Sequence, residues 1–173
     1  MQLCMPIESD FLTESIQLWK RGKHSIAIVL YASAVEQYVN RMYQELLIGQ
    51  GWPTRNVSYL LREVSTRSKL GWMFPQFFNR YLGSALVKRL ATIFEIRNAI
   101  VHFKAELGRF GQQEDSYSKI EAKIRNLRRM SISRDFRLLE EYFSNALWHS
   151  DPNYRLVSQL CEKLKLAKHR RFF

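Results

Sequence analysis

Arg97-Asn98-Ala99-Ile100-Val101-His102 places a guanidinium, a carboxamide and an imidazole within one short apolar stretch. An Arg and a His are costly in such a setting unless something pairs with them. Together they suit a phosphodiester. An imidazole, with a free pKa of about 6.5, takes or gives a proton near neutrality. A guanidinium holds a phosphate and offsets the charge that develops on it. RNA brings its own nucleophile, the 2′-OH. A base beside that hydroxyl and a cation on the phosphate suffice for cleavage to a 2′,3′-cyclic phosphate and a 5′-OH, with neither metal nor cofactor. In this scheme His102 is the acid and base, Arg97 binds the phosphate and Asn98 orients one of them. DNA lacks the 2′-OH and is not cut.

On an ideal helix, with about 100° between residues, Leu86, Leu90, Ile93, Phe94, Ile100 and Val101 gather on one side. Ala91, Glu95, Asn98 and His102 gather on the other. Asn98 and His102 are neighbours four apart, and Glu95 lies on the same strip, so a carboxylate there is placed to support the site. Arg97 departs from the strip by about 140° relative to His102 and points toward the apolar side. Three arrangements bring it to the site: its stem wraps over apolar neighbours, the helix distorts near its end, or two chains share one site. A purely structural alternative pairs Arg97 with Glu36, which flanks the apolar stripe of an earlier helix. The same pair would also serve as support behind a site.

The elements that must carry these residues read as five to six helices without strands, an all-α chain forming a single domain over residues 1–173. The first helix runs from about Asp10 to Arg21, with Ser9 or Asp10 as its cap and Gly22 as its stop. The second, about Ser25 to Ile48, carries the stripe Ile28, Ala32, Val35, Val39, Met42 and Leu46 and ends at Gly49 and Gly51. Ser58 caps a short helix through Lys69. The stretch Trp72-Met73-Phe74-Pro75-Gln76-Phe77-Phe78 is a largely buried irregular connection or two short helices. The motif helix spans about 84–107, and 111–116 form a polar loop. Basic helices follow within about 116–168, from Ser116 to Met130, from a Ser133 cap through Trp148, and from Asp151-Pro152 to about Lys168. The last five residues fray.

Lys and Arg number 27 against 16 Asp and Glu, a net charge of +11, which favours a polyanionic partner and nucleic acid first. Hydrophobic residues make up 46%, enough for a packed core rather than disorder. Arg125, Arg128 and Arg129, with Lys104, are the cations expected on an RNA track, although each basic run also reads as a solvated helix face. His24, His149 and His169 show no metal-ligand spacing. Cys4 and Cys161 stand alone, as in a reducing compartment. The N-terminal residues do not read as a signal peptide, and no apolar run spans a bilayer, so a cytoplasmic protein without membrane partners is expected.

The Arg-Asn-x-x-x-His pattern of Arg97, Asn98 and His102 on a long helix resembles the signature of the HEPN superfamily. These are small all-helical domains, many of them metal-independent endoribonucleases and others non-catalytic nucleic-acid-binding or structural modules. The resemblance covers residues 25–108, and the segment beyond shows no match. It implies a HEPN-type helical bundle and a homodimer in which two copies of Arg97, Asn98 and His102 line one cleft. It implies a toxin, antiphage or RNA-processing setting, with an antitoxin or other protein as a possible partner. Lys104 stands where toxins paired with nucleotidyltransferase antitoxins often carry a Tyr, so nucleotide transfer to that position is not implied. Mannitol-repressor-like proteins also resemble this chain, in their helical core and their Arg-Asn pair before a His. A non-catalytic RNA- or protein-binding module or a regulator is therefore the alternative to an enzyme.

Overall fold

The structure is a computed structural model and describes residues 7–103, 113–127 and 131–150, without the side chains of 103, 113–117 and 148–150. Every regular element among them is helical: α1 (Ile7–Lys20), α2 (His24–Gly49), α3 (Thr54–Glu63), α4 (Thr66–Ser68), a π-helical turn (Lys69–Met73), α5 (Phe74–Phe78), α6 (Ser84–Phe103), α7 (Gln113–Leu127) and α8 (Ile132–Ser150). The all-α reading holds, in more pieces than the five to six expected. The helix expected over 151–168 and the tail lie outside the described residues, as do Cys4 and Cys161.

Two helices close in the same way. Gly22 (φ 76°) follows α1 and Gly51 (φ 84°) follows α2, each in the left-handed conformation that a side chain disfavours. At α1 the amide of Lys23 donates to Leu18 and that of Gly22 to Trp19; at α2 the amides of Trp52 and Gly51 donate to Leu47 and Ile48. This six-residue closure satisfies carbonyls that a helix end leaves unpaired. The α2 stripe from Ile28 to Leu46 is buried as expected, and Ala27, Tyr31, Tyr38, Tyr43 and Leu47 widen it.

Several boundaries differ from expectation. α1 begins at Ile7, so Ser9 and Asp10 lie inside its first turns, where acids complement the helix dipole. α3 starts at Thr54, behind Pro53, and ends at Glu63, so neither Ser58 nor Lys69 bounds it. Ser65 instead caps the next turn, its Oγ accepting from the Ser68 amide at 3.1 Å. The aromatic stretch is helical, passing from a π turn into α5 and stopping at Asn79 in the left-handed region (φ 50°). Met73, Phe74 and Phe78 are buried while Trp72 is exposed. α7 already includes residues 113–116, expected as loop. At α8 the cap is Ser131 rather than Ser133, accepting from the Arg134 amide at 3.3 Å.

The chain groups into two compact units, Met1–Asn40 with Gly83–Leu139, and Arg41–Leu82 with Glu140–Phe173. In the first, Phe136 meets Tyr38 at 5.3 Å and Tyr31 at 6.3 Å between ring centroids, and Ile28, Val35, Leu90 and Ile93 of the same unit are also buried. In the second, Phe143 lies edge-on to Phe74 at 5.0 Å, to Phe78 at 5.5 Å and to Tyr43 at 6.0 Å. Such edge-to-face pairs add to the burial of the rings. Lys69, 2% exposed, turns its ammonium onto the Leu61 carbonyl, an acceptor that the end of α3 leaves without a helical donor. The Tyr43 hydroxyl donates to the Lys69 carbonyl at 2.7 Å.

Candidate active site

α6 belongs to the first unit and carries the motif on its last turns. Leu86, Leu90, Ile93 and Ile96 form its buried line. Beyond Ile96 the burial ends: Arg97 and Ile100 are half-buried, and Asn98, Val101 and His102 are exposed. Ile100 and Val101 were expected to continue the buried side. Val101 is instead 43% exposed, so the end of α6 shows both its polar and its apolar face.

The Arg97 Nη1 donates to Asn98 Oδ1 at 2.9 Å. This contact carries the guanidinium head toward the polar strip that its Cα does not share. The helix runs unbroken to Phe103, so no distortion of α6 accompanies this contact. No ion pair joins Arg97 to Glu36 among the described residues. Glu36 is half-buried on α2, and the pairing with Arg97 expected as the structural alternative is not made; Arg97 meets Asn98. Glu95 is exposed on the strip of Asn98 and His102 and accepts from Lys123 Nζ of α7 at 3.4 Å. Solvent screens such a pair, and it contributes little to stability.

Arg125, the one described member of the expected RNA track, lies in a different place. It lines a cleft of about 260 Å³ with His24, Ser25, Glu121 and Ile124, where α7 passes the start of α2. Lys104, Arg128 and Arg129 lie outside the described residues. No group of His, Cys, Asp and Glu able to hold a metal ion occurs among the described residues, and none of the described helices is long and apolar enough to cross a membrane.

The best-built polar feature of this unit was not anticipated. Arg89 of α6 grips Asp135 of α8 through both carboxylate oxygens, Nη2 to Oδ1 at 2.7 Å and Nε to Oδ2 at 2.9 Å. Asp135 is buried and sits in the first turn of α8, where the helix dipole favours an anion. The hydrogen bond to Asp135 holds the Arg89 pKa above its usual value. Beside this pair the Tyr31 hydroxyl is buried and meets no hydrogen-bond partner among the described residues. Burial first, and the Asp135 carboxylate second, push its pKa up. The signal was present in the sequence: Arg89 shares the register of Ile93 and Ile96, and Asp135 that of Leu139 and Ala146, so two opposite charges interrupt two apolar lines.

The geometry at the end of α6 is therefore a guanidinium held by a neutral amide, with an imidazole one turn on and open to solvent. That is a surface able to receive a phosphate and exchange a proton with it. No protein-family model, no curated protein and no solved structure matches this chain.

Proposed function

We propose that this chain is a metal-independent endoribonuclease of the HEPN type, working at the exposed end of α6 and completed by a second copy of itself. The observation that carries this reading is the Arg97–Asn98 contact at 2.9 Å beside an exposed His102. A cation shifted toward the imidazole strip, without a carboxylate to cancel its charge, is suited to a phosphate. His102 takes the proton of the 2′-OH as that oxygen attacks phosphorus. The bond to the 5′ oxygen breaks, and an imidazolium returns a proton to the leaving oxygen. Arg97 offsets the charge on the phosphoryl oxygens. The half-exposed Val101 and Ile100 beside these groups supply apolar surface for a second copy to cover, and a two-fold arrangement would set one chain's Arg97 against its partner's imidazole.

The test is cleavage of end-labelled RNA in EDTA. The wild type is expected to give cyclic-phosphate ends, and Arg97→Ala and His102→Ala are each expected to lose at least about a hundredfold in rate. Mixing the two variants should restore part of the activity, because the shared cleft of a mixed dimer keeps one Arg97 and one His102, from opposite chains. A folded wild type that leaves several RNAs intact would instead mark the chain as a non-catalytic binding module.

A further inference from the structure

The exposed aromatic residues are not spread evenly. Trp52, Tyr59, Trp72 and Tyr81 are the exposed aromatics among the described residues, and all four lie in the second unit. Tyr59 stands on α3, a strongly amphipathic helix whose Val57 and Leu61 are buried. Its outer face carries Arg55, Tyr59 and Arg62 at steps of four and three residues, one strip about 10 Å long. Tyr59 is 61% exposed. The Arg62 guanidinium lies 5.5 Å from the centre of its ring, a cation–π distance that orients both groups. Arg62 Nε also donates to Glu63 at 3.2 Å, which leaves its other N–H groups to bind elsewhere. Arg55, Asn56 and Ser58 join Tyr59 and Arg62 in lining one cleft. Between Trp52 and Tyr81 the exposed ionic side chains are Arg55, Arg62, Arg67 and Arg80 against Glu63 alone.

We infer that the outer face of α3 is a binding site for single-stranded RNA, in which Tyr59 stacks a base and Arg55 and Arg62 hold the flanking phosphates. An exposed ring between cations is the combination that single strands use, because unpaired bases offer their faces and the backbone offers its charge. A duplex hides those faces, and the excess of exposed Arg over acid around the ring favours an anionic strand. The platform is firm, since α3 is pinned by its buried residues and by Lys69 on the Leu61 carbonyl. The choice of RNA rests on the function proposed above, whereas the strand-binding geometry does not.

The test is fluorescence anisotropy with a labelled oligouridylate in EDTA, using the full chain carrying His102→Ala so that the probe survives. Tyr59→Ala is expected to weaken binding about tenfold, the usual effect of losing one stacked base. Tyr59→Phe keeps the ring and should bind within about twofold of the parent. Replacing Arg55 and Arg62 with Gln should lower the slope of log affinity against log salt by about 0.7 for each Arg. Duplex RNA should compete poorly. Tyr59→Ala binding as tightly as the parent, Tyr59→Phe failing equally, or no binding by the parent would overturn the site. Cleavage by the wild type with α3 variants unaffected removes this site alone. Binding through α3 without cleavage removes the nuclease alone.

Discussion

Arg89 and Arg97 both rise from the apolar side of α6, about two turns apart, and their partners separate their roles. Arg89 meets a carboxylate at 2.7 Å, so its charge is neutralised and its work is to hold α6 to the start of α8. Arg97 meets an amide at 2.9 Å and keeps its charge available. The sequence showed Arg97 because it belongs to a motif; Arg89 has no motif and is visible only as a cation in an apolar register. Tyr31, beside the Arg89 pair, gives a sharp test. Its hydroxyl has lost water without gaining a bond among the described residues, so Tyr31→Phe should stabilise the protein by about 1 kcal/mol and raise Tm by about 2–4 °C. Its pKa and that of Tyr43 are raised by burial. The unfolded chain therefore releases these protons first, and stability is full below about pH 10 and falls above it. Tyr31→Phe should make that alkaline decline shallower. A variant less stable than wild type at pH 7 would show that the hydroxyl is satisfied, and an unchanged alkaline slope would show that Tyr31 does not contribute to that decline.

The helix closures at Gly22 and Gly51 were legible as glycines after apolar stripes, and the structure shows why glycine is needed. A Cβ at Gly51 would meet nothing within 4 Å, so crowding is not the issue; the left-handed backbone is. Gly51→Ala should cost about 1–2 kcal/mol, and Gly51→Asn clearly less, because Asn tolerates that conformation. Urea midpoints at constant m-value would check this, and equal losses for Ala and Asn would argue against it. Helix starts were harder to place for a physical reason. The first three residues of α3 and the first turn of α7 are polar, Thr54, Arg55 and Asn56, and Gln113, Glu114, Asp115 and Ser116, so the apolar pattern begins inside each helix. The acids of α7 were still a usable sign of a helix N-terminus. The π turn before α5 had no such sign: Gly71 within it reads as an interruption of the helical pattern, and nothing in the sequence marks Lys69 as buried.

At the scale of the whole chain, composition and periodicity made the all-α class legible, because long apolar stripes can be met by packed helices and the few glycines and prolines do not support many turns. The grouping into two units was not legible: α2 crosses between them at Asn40 and Arg41 without a break in its apolar pattern. Nor could the sequence reveal that, among the described side chains of α6, none beyond Ile96 is buried, which depends on what covers the helix and not on the helix itself. The net charge of +11 predicts that any polyanion is drawn to this surface, with an attraction that weakens as salt rises. That charge bears on the amide beside Arg97. An aspartate at position 98 would tether the guanidinium more strongly and cancel it, leaving the motif closed to phosphate. Asn98 is a leash without a charge, and any incoming phosphate can outbid it. On the function proposed above, entry is decided by charge and reaction by the sugar. Under the proposed chemistry, single-stranded DNA should be a competitive inhibitor of RNA cleavage, raising KM while leaving kcat unchanged. The chain would then sense whatever strand surrounds it while cutting only one kind.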